Sequence, residues 1–114
     1  MTRARQALGA HGEALAARWY EEHGYEVLAR NWRCRDGELD LVVRRNRTIV
    51  FCEVKTRTTT AYGTPGEAVT HAKRQRIRRL AARWLEESPI RPSQIRFDVA
   101  AVLGGDLQVI EGAF

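Results

Sequence analysis

Gly37-Glu38-Leu39-Asp40-Leu41-Val42-Val43, followed after a short polar break by Ile49-Val50-Phe51-Cys52-Glu53-Val54-Lys55, decides how this chain folds. Both segments are apolar and rich in β-branched residues. They read as strands over Leu39 to Arg44 and Thr48 to Thr56, joined by the turn Arg45-Asn46-Arg47 into an antiparallel hairpin. Apolar residues fill alternate and intervening positions, so both faces of the sheet must be covered. Successive side chains on a strand point to opposite faces, which puts Glu53 and Lys55 on one side and Val54 on the other. Asp40, from the preceding strand, can converge with them. Glu38 is assigned to the face opposite Asp40, with a structural or loop-contact role, and Asp98 in a later strand is read in a similar way.

Working outward, residues from about Arg3 to His23 place Leu8, Gly12, Leu15, Ala16 and Trp19 at three- and four-residue steps, predicting an amphipathic helix stopped by Gly24. Tyr25 to Ala29 reads as a strand, and Asn31 to Gly37 as a polar connection ending in an Asp-Gly turn. Arg57 to Gly66 has turn chemistry without a period and is expected to form a loop beside the acids, with Thr58, Thr59 and Thr60 as donors to a backbone phosphate or simply loop residues. From Glu67 to Glu87, Val69, Ala72, Ile77, Leu80, Ala81, Trp84 and Leu85 keep helical spacing on a strongly basic helix. Ser88-Pro89 and Arg91-Pro92 end it, because proline lacks an amide donor and disfavours helix at the residue before it. Ile95 to Leu103 and Leu107 to Ile110, joined by Gly104-Gly105-Asp106, complete a second hairpin. The order α-β-β-β-α-β-β predicts a mixed α/β sheet of about five strands with a helix on either side, in one domain spanning residues 1–114.

Nineteen basic against fourteen acidic residues give a formal charge of +5, and the pI is near 9.9. That balance favours a polyanionic partner, with nucleic acid the leading candidate. Lys73, Arg74, Arg78 and Arg79, with Arg76 and Arg83, are expected on the solvent side of the basic helix, where they would contact phosphates; Arg57, Lys73 and Gln75, which follow the acid-x-lysine strand in chain order, are read as substrate-positioning residues. A solvated helix face gives the same pattern. Cys34 and Cys52 form neither a CxxC pair nor a disulfide framework, and a reducing cytoplasm fits them. No apolar run approaches the ~20 residues needed to cross a bilayer, so no membrane partner is expected. The three histidines lack metal-ligand spacing with one another or with the cysteines, which argues against zinc.

Each of Asp40, Glu53 and Lys55 would be costly to bury alone in so apolar a sheet. A Mg²⁺ or Mn²⁺ ion held by Asp40 and Glu53, with a phosphate substrate, satisfies all three and suits phosphodiester hydrolysis. Lys55 could then orient or deprotonate a water, or neutralise developing negative charge. A same-face ion pair between Glu53 and Lys55 at a sheet edge is the alternative.

Gly12-Glu13, Gly37 to Val42, Phe51-Cys52-Glu53-Val54-Lys55-Thr56-Arg57, Tyr62-Gly63-Thr64-Pro65 and Arg96-Phe97-Asp98-Val99 occur in that order over nearly the whole chain. With this motif set the chain resembles the YraN family of bacterial proteins, which is similar to archaeal Holliday junction resolvases of the PD-(D/E)xK nuclease superfamily. The resemblance implies a restriction-endonuclease-like fold and a Mg²⁺-dependent endonuclease acting on DNA, including branched or junction DNA. It implies Glu13 as a third catalytic acid and metal ligand beside Asp40 and Glu53, and a symmetric homodimer. Leu39 stands where the superfamily's name has proline. The contrasting expectation is a nucleic-acid-binding or protein-interaction module that keeps the fold without catalysis.

Overall fold

The computed structural model describes the backbone of residues 3–57 and 69–114 and the side chains of residues 9–57 and 69–114. Its elements are α1 (Arg3–Glu22), β1 (Glu26–Cys34), β2 (Gly37–Arg45), β3 (Thr48–Arg57), α2 (His71–Glu87), β4 (Gln94–Leu103) and β5 (Asp106–Ile110). This is the mixed α/β arrangement expected from the sequence. The five strands lie in the spatial order β1-β2-β3-β4-β5. β3 and β4 are parallel, bridged by α2, and every other neighbouring pair is antiparallel. The prolines at 89 and 92 follow α2 as the sequence requires.

Two apolar layers explain why the central strands lack polar faces. On the α2 side, Ile77, Leu80, Ala81 and Trp84 pack with Val42, Ile49, Phe51 and Val99. On the α1 side, Ala16, Ala17 and Tyr20 pack with Leu41, Val43, Val50, Cys52 and Ala100. Strict alternation along β2 breaks across Asp40: Leu39 joins the α2-side layer while Leu41, two residues on, joins the α1-side layer.

Three boundaries differ from expectation. β1 runs on through Asn31 to Cys34, where a polar connection is predicted, and leaves Arg35 and Asp36 as the turn. It is an edge strand with one covered side, so Trp32 and Cys34 reach the α2-side core while Arg30 and Arg33 remain exposed. A bulge at Leu28, where Val27 pairs with Val43 and Ala29 with Val42, masks its period. α2 begins at His71 because Thr70 caps it: the Thr70 hydroxyl accepts the Lys73 amide at 3.2 Å, and buried Val69 precedes the helix. Arg57 belongs to β3; the rest of the loop expected over Arg57 to Gly66, with the Tyr62-Gly63-Thr64-Pro65 motif, Glu67 and Ala68, lies outside the described residues.

Helix α1 is fastened at both ends of its buried face. At its C-terminus Gly24 adopts φ +85°, and the Tyr25 amide donates back to the Tyr20 carbonyl at 2.9 Å, closing the last turn. Further back, Gly12 is buried against β3 and β4, and a Cβ there would collide with the Thr56 hydroxyl. Glycine lets the helix settle onto the sheet at that point, one residue before Glu13. Among the described residues, no helix is long and apolar enough to cross a membrane.

Candidate metal centre

The hydrogen-bonded pairing of β2 with β3 extends from Arg45–Thr48 to Leu41–Cys52 and stops there. Next to this break, Asp40 Oδ2 accepts the backbone N–H of Val54 at 2.9 Å. A side chain has replaced a strand carbonyl, which opens the sheet and holds the carboxylate still. Glu13 reaches the same place from α1, and Glu38 from the start of β2. One carboxylate oxygen from each of Glu13, Glu38 and Asp40 lies within 4.8 Å of the other two. Glu38 therefore belongs with Asp40, against the expectation that the two point apart. Residues two apart on a strand share a side, and Glu38 and Asp40 keep that relation although Leu39 and Leu41 do not. Glu38 also pairs with Arg33 across the β1–β2 turn at 3.3 Å.

Glu53, on β3, is 8% exposed. Its Oε1 atom is 3.3 Å from Lys55 Nζ and 2.9 Å from Lys73 Nζ. Strand alternation accounts for the first contact. The second comes from α2, which packs on the face that Glu53 shares with Phe51, and the Thr70 cap sets the first turn from which Lys73 extends. Lys73 is thus turned toward the acids, where the sequence places it on the solvent side.

Electrostatics follow from crowding. Burial, then the charge of Glu53, pushes the Asp40 carboxyl up to about 7, with Glu13 and Glu38 adding to the shift and the Val54 amide opposing it. Burial and the contact with Lys73 lower Lys55 below the ordinary lysine value, against the pull of Glu53. Burial works to lower Lys73 as well, but its contacts with Lys55 and Glu53 and the charges of Glu53 and Asp40 raise it. The acids thus carry more negative charge than their surroundings neutralise. Carboxylate oxygens from several elements, converging without histidine or cysteine in the group, suit a hard divalent cation such as Mg²⁺ or Mn²⁺.

The basic residues do not form one surface. Arg74 lies over the Phe114 ring at 5.5 Å and donates from Nε to the Val69 carbonyl at 3.0 Å. Arg78 covers Phe97 and Phe114 at 5.6 and 5.4 Å. Arg57 ends β3, half-buried, with a guanidinium nitrogen 3.1 Å from the Thr56 carbonyl. Gln75 is half-buried and Arg79 exposed. Trp84 is buried in the core and Trp32 packs against it, whereas Trp19 stacks on His23 at 3.9 Å between centroids.

Asp98 has a structural place, as its sequence reading implies. It is fully buried and accepts the Tyr20 hydroxyl at 2.6 Å, the Arg96 guanidinium at 2.8 and 2.9 Å, and the Gly112 amide at 3.0 Å. These bonds tie α1, β4 and the turn after β5 together. Burial pushes the Tyr20 hydroxyl well above its usual range, with Cys52 and Asp98 reinforcing the shift.

Sequence relatives match this chain over most of their length. A UPF0102 protein of Nocardia farcinica is 62% identical over 99 residues, covering 87% of this chain and 78% of that protein. One from Beutenbergia cavernae is 59% identical over 101 residues, covering 89% and 86%. A third, from Frankia casuarinae, is 59% identical over 100 residues, covering 88% and 85%. The model of the group described as "Uncharacterised protein family UPF0102" matches residues 12–102, a span that opens on the glycine packed at Thr56 and takes in all four acids and both lysines. By this match and these relatives, the chain belongs to the UPF0102 family.

Proposed function

We propose that this protein is a divalent-cation-dependent endonuclease of the restriction-endonuclease-like type, hydrolysing phosphodiester bonds in DNA. The observation that carries the reading is the break in the β2–β3 pairing, where Asp40 is fixed by the Val54 amide beside Glu13 and Glu38 while Glu53 gathers Lys55. Asp40, Glu53 and Glu13 would hold Mg²⁺ or Mn²⁺, with Glu38 in reach. When bound, the cation activates a water and neutralises charge on the phosphate. Burial of Lys55 lowers its pKa and eases loss of its proton, so that more of the amine is free to receive the water's proton, the role assigned to it here. The net positive charge favours association with the polyanion, and exposed Arg79 contributes to that attraction. Preference for junction or branched DNA, a homodimeric state and a cytoplasmic location belong to the same reading and rest on the resemblance to junction resolvases and, for location, on two free cysteines.

The test incubates purified protein with four-way junction, flap, single-stranded and duplex DNA in Mg²⁺ or Mn²⁺, beside Asp40→Asn prepared identically. Cleavage by the parent that disappears in the variant supports the nuclease and identifies its substrate class. Equal cleavage by both overturns the assignment of Asp40. Salt-sensitive binding without cleavage by either shifts the reading to a binding module on the same fold.

A further inference from the structure

We infer that the site takes one divalent cation rather than two, because the Lys73 ammonium, seated on Glu53 Oε1 from α2, occupies the place a second cation would need. The inference deepens the nuclease reading and rests on it for the first cation. Two-metal phosphodiesterases hold their ions about 3.5–4 Å apart, so a carboxylate at the centre is shared between them. Glu53 lies outside the Glu13–Glu38–Asp40 oxygen group and holds the two lysines, yet its charge acts on Asp40, which makes it the acid a second ion would have to share. One of its oxygens is already claimed by both amines, Lys73 at 2.9 Å and Lys55 at 3.3 Å. A second divalent ion at that oxygen would lie within a few ångströms of two ammonium groups in a poorly solvated setting, where like charges repel strongly.

Charge matching agrees. The four carboxylates of Glu13, Glu38, Asp40 and Glu53 face the ammoniums of Lys55 and Lys73 and the Arg33 guanidinium on Glu38, leaving among the described residues an excess of one negative charge, which one divalent ion brings to +1 and a second would carry to +3. The two amines differ in access. The Lys55 side chain is 13% exposed and that of Lys73 is 32% exposed, so Lys73 is the one able to hold Glu53 and also face an incoming phosphate. In this arrangement Lys73 is a positioning residue for Glu53 and supplies the second positive charge from the protein itself.

Mn²⁺ stoichiometry, counted by electron paramagnetic resonance of the free ion during titration, tests the inference without any activity measurement. The parent and Lys73→Arg are expected to bind one ion per chain, and Lys73→Met to bind two, with circular dichroism confirming that each variant is folded. Two ions of similar affinity in the parent would overturn the inference and leave the metal-centre reading standing. One ion in folded Lys73→Met would also overturn it. No ion in the parent would instead overturn the metal-centre reading on which it rests. Should Lys73→Met fail to fold, the count in the parent and in Lys73→Arg decides.

Discussion

Asp40 and Val54 are joined by a carboxylate-to-amide hydrogen bond of 2.9 Å at the point where the β2–β3 pairing ends. The acid is thereby held in a poorly solvated position next to Glu53, Glu13 and Glu38, and its carboxyl is pushed up to about 7. The folded protein consequently keeps a proton on Asp40 that the unfolded chain has released. Between 3.8, the ordinary aspartate value, and about 7, the folded state binds more protons than the unfolded one, so this group's contribution to stability falls as pH rises and levels off above that window. Asp40→Asn should lack this component. Chemical denaturation across the window, without divalent metal, should show the parent losing stability relative to Asp40→Asn; parallel curves would contradict the assignment.

Metal binding should have the opposite pH dependence, because a cation competes with the Asp40 proton. Thermal stabilisation by Mg²⁺ or Mn²⁺ should increase through about pH 7 in the parent and be small at every pH in Asp40→Asn. Melting curves with and without metal check it.

Gly12 makes a sharper structural test. Alanine is favoured over glycine inside a helix by roughly 0.5–1 kcal/mol, yet a methyl group here would run into the Thr56 hydroxyl. Gly12→Ala is expected to lower stability by about 1–3 kcal/mol, the usual cost of overpacking. Gly12→Ala combined with Thr56→Ala should recover part of the loss, which a double-mutant cycle would measure.

Substitutions around Asp98 should affect folding before function. Asp98→Ala leaves Arg96 and the Tyr20 hydroxyl without their buried acceptor and should cost about 3–5 kcal/mol, as breaking one side of a buried pair does. Tyr20→Phe removes one hydrogen bond and should cost about 1 kcal/mol. Urea denaturation distinguishes the two.

The arginines of α2 should divide into two groups. Arg79→Gln, at an exposed position, is expected to reduce the salt dependence of DNA binding by about one phosphate contact and leave stability unchanged. Arg74→Gln and Arg78→Gln should lower the melting temperature as well, because both guanidinium groups cover aromatic rings. Binding isotherms over a salt series, paired with melting curves, separate these effects.

The hairpin and its acid-x-lysine element were legible because they depend on local rules: apolar runs bounded by polar turns, and a two-residue side-chain period. Glu53 and Lys55 are together for that reason. The same period puts Glu38 with Asp40, and the sequence reading assigned Glu38 to the wrong side although the signal was present. Lys73 is a different case. Its contact with Glu53 depends on how α2 docks after crossing from β3 to β4, and no spacing within either segment encodes that. The second half of β1 was hidden because Asn31, Arg33 and Arg35 suggest a loop, while the support for a strand comes from Trp32 and Cys34 packing on residues elsewhere in the chain.

Asp98 also sets an order of events during synthesis. Tyr20 leaves the ribosome 78 residues before the acid that receives its hydroxyl, and the Gly112 amide that completes the acid's partners emerges later still. Helix α1 therefore lacks this anchor until β4 has been made, although the β2 and β3 residues it packs on are made earlier. The position of Glu13 on α1 is therefore completed by bonds to the far end of the sheet and not by its own neighbourhood in the chain.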